Sequence, residues 1–126
     1  MIYADTDLWI ALLKDDDWLA DEAAAAVAEH RGDLAVSLAT FVELFLIEER
    51  YDFDREAAIT SILELAHYDG DADALYRASA NRDDGLTTFD AFHAALAEDA
   101  ILSSDDAFDA TALRRIPLER AGANDG

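Results

Sequence analysis

Residues 1–13, MIYADTDLWIALL, decide how the rest of the chain is read. Met1 to Ala4 reads as a short buried strand and Leu8 to Leu13 as the first turns of a helix, joined through Asp5-Thr6-Asp7. A strand that passes directly into a helix predicts an α/β fold if the alternation recurs along the chain. The acids at the junction have two readings, a helix cap or ligands for a metal ion. Whether later junctions repeat the pattern separates the two.

The alternation recurs. Residues 16–31 (DDWLADEAAAAVAEHR) are alanine-rich, with Trp18, Leu19, Ala23 and Val27 spaced for one apolar helix face that ends near Gly32. Leu34 to Leu38 (LAVSL) is a second apolar strand. Thr40 to Arg50 (TFVELFLIEER) is a helix apolar nearly all round, hence expected to be buried. Asp54 to Ala66 is amphipathic, with Ile59, Ile62, Leu63 and Ala66 on one side. A small strand at His67-Tyr68-Asp69 and a helix over Ala72 to Arg82 follow.

Gly85 then breaks the chain before TTFDAFHAALAED, a helix capped by Thr87 or Thr88. Ala100 to Ser103 (AILS) is a strand, Ser104 to Thr111 a turn or short helix, and Ile116 to Leu118 a last edge strand that accommodates Pro117. No repeat or linker interrupts this order, so residues 1–126 are expected to form a single domain, with about 119–126 a frayed tail. Short apolar strands alternating with helices predict a mostly parallel sheet flanked by helices.

Composition narrows the setting. Hydrophobic residues make up 52% of the 126, enough for a core, and there is no cysteine for disulfides or thiolate metal sites. No apolar stretch approaches a membrane span and no signal-peptide pattern is present, so a cytoplasmic protein with no membrane association is expected. The charge is unusual: 29 acidic against nine basic residues, of which Lys14 is the one lysine. In a chain this apolar, such acidity fits a halophilic protein whose acidic surface stays soluble in concentrated salt. At about 1 M salt the Debye length falls to about 3 Å, so a net charge of −20 repels polyanions far less than in dilute buffer.

Four acids stand out by position. Asp5 follows the first strand, Glu43 lies in the first turn of the helix after the second, Asp90 in the first turn after Gly85, and Asp105 after AILS. Residues just past the carboxyl ends of parallel strands converge on one crevice. Each acid also has a structural reading. Asp5 or Thr6 caps the first helix, Thr40 to Glu43 fits a capping box, Asp90 favours the helix dipole, and Ser104 or Asp105 caps the next turn. Glu43 within FVELFLI and Asp90 between Phe89 and Phe92 are expected to be buried, and a buried carboxylate needs a cationic or hydrogen-bonding partner. Hard oxygen ligands without cysteine point to Mg²⁺ or Mn²⁺, the setting for phosphodiester hydrolysis by a metal-activated water. Thr6 and Ser103 stand where a hydroxyl orients a carboxylate, a water or a phosphate.

MIYADTDLWIALL, LATFVELFL, GLTTFDAFHAALA and ILSSDDAF resemble, in order and spacing, the motifs of PIN-domain ribonucleases, especially the VapC-type toxins of toxin–antitoxin pairs. The resemblance covers nearly the whole chain. It matches the family's first aspartate and hydroxyl to Asp5 and Thr6, its glutamate to Glu43, its third acid to Asp90 within Gly85 to Ala91, and its fourth to Asp105 after Ser103. It implies a PIN-like α/β/α sandwich, a Mg²⁺- or Mn²⁺-dependent endoribonuclease acting on RNA, a homodimer, and inhibition by a cognate antitoxin protein. Asp106 and Asp109 are alternative fourth ligands. Family members carry basic residues for RNA; here Arg50, Arg55, Arg77, Arg82, Arg114 and Arg115 must serve, with Arg82 the expected substrate-binding phosphate contact.

Other residues read more plainly. Asp7 is a cap or solvent-facing residue, His93 a packing histidine, Trp9 and Trp18 core or dimer-interface residues, and Asp15-Asp16-Asp17 a solvated turn that caps the second helix. Three rival functions share the same motifs. Asp5-Thr6-Asp7 resembles the nucleophile motif of haloacid-dehalogenase-like phosphatases, but no lysine follows Lys14 to neutralise a phosphoaspartate. A non-catalytic binding domain has no need of four intact acids, and a housekeeping RNA-processing nuclease would carry the same residues as a toxin.

Overall fold

A computed structural model describes residues 1–14 and 18–118. The expected turn at residues 15–17 and the frayed tail from 119 therefore lie outside the described residues, while the second helix begins at Ala20 with Leu19 as its N-cap, later than the expected Asp16 and not capped by the aspartates 15–17. The fold is α/β, with six α-helices and short, parallel strands in two sheets among the described residues. The chain divides into two compact units, Met1–Tyr76 and Arg77–Gly126.

In the first unit, β1 (Ile2–Tyr3), β2 (Leu34–Val36) and β3 (His67–Tyr68) form a parallel sheet in that order. Ile2 pairs with Leu34 and Tyr3 with Ala35; Ala35 pairs with His67 and Val36 with Tyr68. Helical crossovers impose the parallel sense, since a tight turn can join only antiparallel neighbours. They are α1 (Thr6–Leu13) and α2 (Ala20–Glu29) before β2, then α3 (Leu38–Glu48) and α4 (Arg55–Leu65) before β3. Trp9, Phe41, Phe45, Ile59 and Ile62 are fully buried and, with Leu34 and Val36 of the central strand, make the core. Burial of each large side chain contributes about 1.5–3 kcal/mol. Phe41 meets Tyr68 edge to face, with ring centroids 5.3 Å apart, and burial together with Asp71 pushes the Tyr68 phenol up. Gly70 lies against it, and a Cβ there would overlap the end of the Tyr68 ring unless that side chain moved.

Two apolar segments behave differently from their sequence reading. Ile2 and Tyr3 are exposed and only Ala4 is buried, because β1 is an edge strand two residues long rather than a covered one. Trp18 stands in the turn before α2 at 83% exposure and adds nothing to the core, whereas Trp9 in α1 is 1% exposed. At the close of this unit, the Arg55 guanidinium donates through Nη1 to both Glu48 oxygens at 2.9 and 2.8 Å. Asp54 caps α4, its Oδ1 accepting the Ala57 N–H at 3.2 Å.

α5 (Ala72–Asp83) carries the boundary between the units. The second unit adds α6 (Thr88–Leu96), β4 (Ala100–Ser103), a 3₁₀ turn (Asp106–Ala110) and β5 (Arg114–Pro117). Leu86, Ala91, Ala94 and Phe108 form its core, with Ile101 and Leu113 packed against them. Three α5 side chains reach backbone carbonyls beyond it: Arg77 to Ala95 at 3.0 Å, Asn81 to Ala91 at 3.1 Å, and Arg82 to Leu86 at 2.6 Å. Gly85 makes the turn between the helices at φ +99°, a conformation that favours glycine. β5 starts two residues earlier than the expected Ile116 and pairs in parallel with β4 in a separate two-stranded sheet. On that sheet Leu102 lies in register with Ile116, and both are exposed.

Candidate functional site

Asp5 leaves β1 at its carboxyl end, where the Ala4 N–H donates to Ala35 O at 3.0 Å and fixes the strand end against β2. Its side chain is exposed and caps α1, Oδ1 accepting the Thr6 N–H at 2.7 Å. Thr6, the first residue of α1, is 5% exposed.

Glu43 corrects the sequence reading in three ways. Ser37, read as part of the second strand, is the N-cap of α3, so the helix begins at Leu38 and Glu43 falls in its second turn. The capping box is formed by Ser37 and Thr40, not by Thr40 and Glu43, with the Ser37 N–H donating to Thr40 Oγ1 at 3.4 Å. Finally, Glu43 is exposed although it sits inside FVELFLI; Phe41, Leu44 and Phe45 are buried around it, while Glu43 and Leu46 face out. α3 is therefore one-sided, and burial does not call for a cation at Glu43. Because β1 and β2 are parallel, Asp5 and the start of α3 lie at the same edge of the sheet.

In the second unit, Asp90 is half-buried in the first turn of α6, whose cap is Thr87; Thr87 Oγ1 accepts the Asp90 N–H at 3.4 Å. Phe89 is 58% exposed, so the expected burial on that side fails, and His93 is exposed rather than packed. Asp105 is exposed and caps the 3₁₀ turn, Oδ1 accepting the Ala107 N–H at 2.9 Å. Ser103 positions it from behind, its Oγ accepting the Asp105 N–H at 3.0 Å. Asp109 is committed to Arg115, which donates to Oδ1 and Oδ2 at 2.9 and 3.2 Å. That hydrogen-bonded pair holds the Asp109 carboxyl below, and the Arg115 guanidinium above, their ordinary values. Of the alternatives to Asp105, Asp109 is thus engaged elsewhere, while Asp106 makes no hydrogen bond through its side chain among the described residues and acts on Arg115 through its charge alone.

The four acids divide by what the local structure already uses. Asp5 and Asp105 cap helical turns. Among the described residues, no hydrogen bond or ion pair engages the Glu43 or Asp90 carboxylate. Also among the described residues, no three carboxylate or imidazole side chains stand together in a group that could hold one metal ion. The oxygen chemistry of the donors suits a hard dication, but their placement does not make a ready coordination shell.

The arginines expected to meet RNA are largely occupied. Arg55 binds Glu48, Arg77 and Arg82 bind backbone carbonyls, and Arg115 binds Asp109 and Ser103 O. Arg82, the expected phosphate contact, thereby belongs to the turn at Gly85; Arg50 and Arg114 are exposed.

One feature escaped the sequence reading. Between α1 and α2 lies a cleft of about 320 Å³, walled by Leu8, Leu19 and three alanines, with Asp5, Asp7 and Glu22 as its acidic lining. Asp7, set aside as a cap or solvent-facing residue, lines this cleft beside Asp5. The signal was the small side chains of Ala11, Ala23 and Ala26, which leave space between two packed helices. No helix among the described residues is long and apolar enough to cross a membrane. Comparison with protein-family models, with curated proteins and with solved structures finds no match to this chain.

Proposed function

We propose that this chain is a PIN-like, metal-dependent endoribonuclease, with Asp5, Glu43, Asp90 and Asp105 as the acids on which cleavage depends. Glu43 carries the reading. It stands exposed in the helix that springs from the carboxyl end of β2, beside the β1 end that bears Asp5, and among the described residues it has no structural partner. Its alternative explanation as a capping residue is gone, because Ser37 and Thr40 fill that role. A carboxylate with no role in the fold, at the sheet edge where α/β proteins bind their ligands, supports this reading.

In this reading Mg²⁺ or Mn²⁺ would supply a water of lowered pKa and offset charge developing on the phosphoryl oxygens, with Asp5 and Glu43 the acids of the first unit and Asp90 and Asp105 those of the second. The chain's own contribution is positional. The α1 cap sets Asp5 against the sheet end, and Ser103 holds the Asp105 backbone. The motif order extends the proposal to a cytoplasmic, halophilic toxin that works as a homodimer and is restrained by a cognate antitoxin. Incubation with single-stranded RNA in molar salt, with Mn²⁺ or with EDTA, tests it. Metal-dependent endonucleolytic products that vanish in Glu43→Gln support the reading; cleavage retained in that variant defeats it.

A further inference from the structure

We infer that the α1–α2 cleft is a nucleobase pocket and that it selects guanine next to the bond cleaved, an inference that rests on the nuclease reading. Its volume, about 320 Å³, lies at the lower end of small-molecule sites and accommodates one purine ring. Leu8 and Leu19 offer aliphatic surface to the faces of a ring, and Ala11, Ala23 and Ala26 leave the room for it. The acidic lining is what discriminates. Asp5, Asp7 and Glu22 bring carboxylates, which accept hydrogen bonds and donate none when ionised. An occupant that reaches these carboxylates presents donors to them.

Among the four RNA bases, guanine alone places two donors side by side, N1–H and the 2-amino group, in the spacing one carboxylate accepts. Adenine and cytosine set an acceptor beside their amino group, and uracil sets two carbonyls about its single N–H. Asp5 belongs both to the cleft lining and to the acids of the proposed reaction, so a base seated here is attached to a nucleotide at that centre. Asp7 and Glu22, which have no part in the proposed chemistry, are left to read the base.

The test uses a short labelled oligouridine carrying one guanine, beside versions with inosine, adenine or uracil at that position. Binding is read by fluorescence anisotropy in molar KCl with EDTA, and cleavage separately with Mn²⁺. Guanine is expected to bind about tenfold tighter than adenine or inosine, inosine lacking the 2-amino group. Cleavage should fall at the phosphodiester beside guanine. Asp7→Asn and Glu22→Gln should erase that preference without abolishing cleavage. Equal binding of all four oligonucleotides, or a guanine preference unchanged in both variants, overturns the inference while leaving the nuclease intact. Guanine-selective binding with no cleavage under any metal keeps the pocket and defeats the nuclease reading. Hexylguanidinium competing more strongly than guanosine assigns the cleft to an organic cation and overturns the inference.

Discussion

The two units repeat one arrangement on different scaffolds. In Met1–Tyr76, Asp5 closes the first turn of α1 while Glu43 stands exposed with no partner among the described residues. In Arg77–Gly126, Asp105 closes the 3₁₀ turn while the Asp90 carboxylate is likewise unengaged among the described residues. Each unit thus pairs an acid that serves the fold with one that does not. The contrast teaches that position past a strand does not by itself mark a chemical role. In the proposed reading, the caps make Asp5 and Asp105 serve both fold and chemistry, whereas Glu43 and Asp90 serve chemistry alone.

Mutation separates the two kinds of acid, and the largest effects should be on activity. Glu43→Gln and Asp90→Asn are expected to lower Mn²⁺-dependent RNA cleavage by at least about 100-fold, a loss of about 2.7 kcal/mol of transition-state stabilisation. The thermal midpoint of Glu43→Gln should stay within about 1 °C of the parent, since surface changes away from caps and core usually cost little, and Asp90→Asn should cost about 0.3–1 kcal/mol for the lost charge in the first turn of α6. A large drop in melting temperature with activity intact would reverse the assignment of these residues.

Backbone strain gives the next effect. Gly85→Ala places a Cβ where nothing lies within 4 Å, so the cost is the φ of +99° alone. About 1–2 kcal/mol of destabilisation is expected by denaturant titration; an unchanged midpoint would mean that the turn relaxes freely. The capping acids follow. Asp5→Ala and Asp105→Ala should each cost about 1 kcal/mol, whereas Asp5→Asn should retain the cap because asparagine caps as well as aspartate. Cleavage should be lost in both Asp5 variants. Equal stability of Asp5→Ala and Asp5→Asn would remove the capping role.

The smallest effect concerns the Asp109–Arg115 pair. Its carboxyl is lowered in the folded chain, so its contribution is present above the unfolded aspartate value, about 3.9. That contribution is lost as pH falls through the lower folded value. Wild type and Asp109→Asn should therefore differ in stability near neutrality and converge in acid, and the difference should shrink in molar salt. A gap that widens on acidification would contradict the pairing.

Much of this architecture was legible because its local signals agree. Asp54 before an amphipathic run marked the start of α4, AILS marked β4 to the residue, and Thr87 was one of the two threonines expected to cap α6. Other features depend on partners distant in sequence. Nothing in IY tells that β1 is an edge strand, so the exposure of Ile2 and Tyr3 was invisible. Ser37 inside LAVSL reads equally as strand or cap, and choosing strand displaced α3 and gave Glu43 a capping role it lacks. The arginines show the same limit: Arg77 and Arg115 are committed to Ala95 O and Asp109, contacts no spacing rule anticipates. For the site, the positions of the acids were readable, but which of them the fold already uses was not.

Cleavage of single-stranded RNA in molar KCl by wild type and Glu43→Gln, each with Mn²⁺ and with EDTA, tests the central claim most directly. The account predicts endonucleolytic products from wild type with Mn²⁺ and from no other arm. Equal cleavage by the two proteins, or products that persist in EDTA, would contradict it.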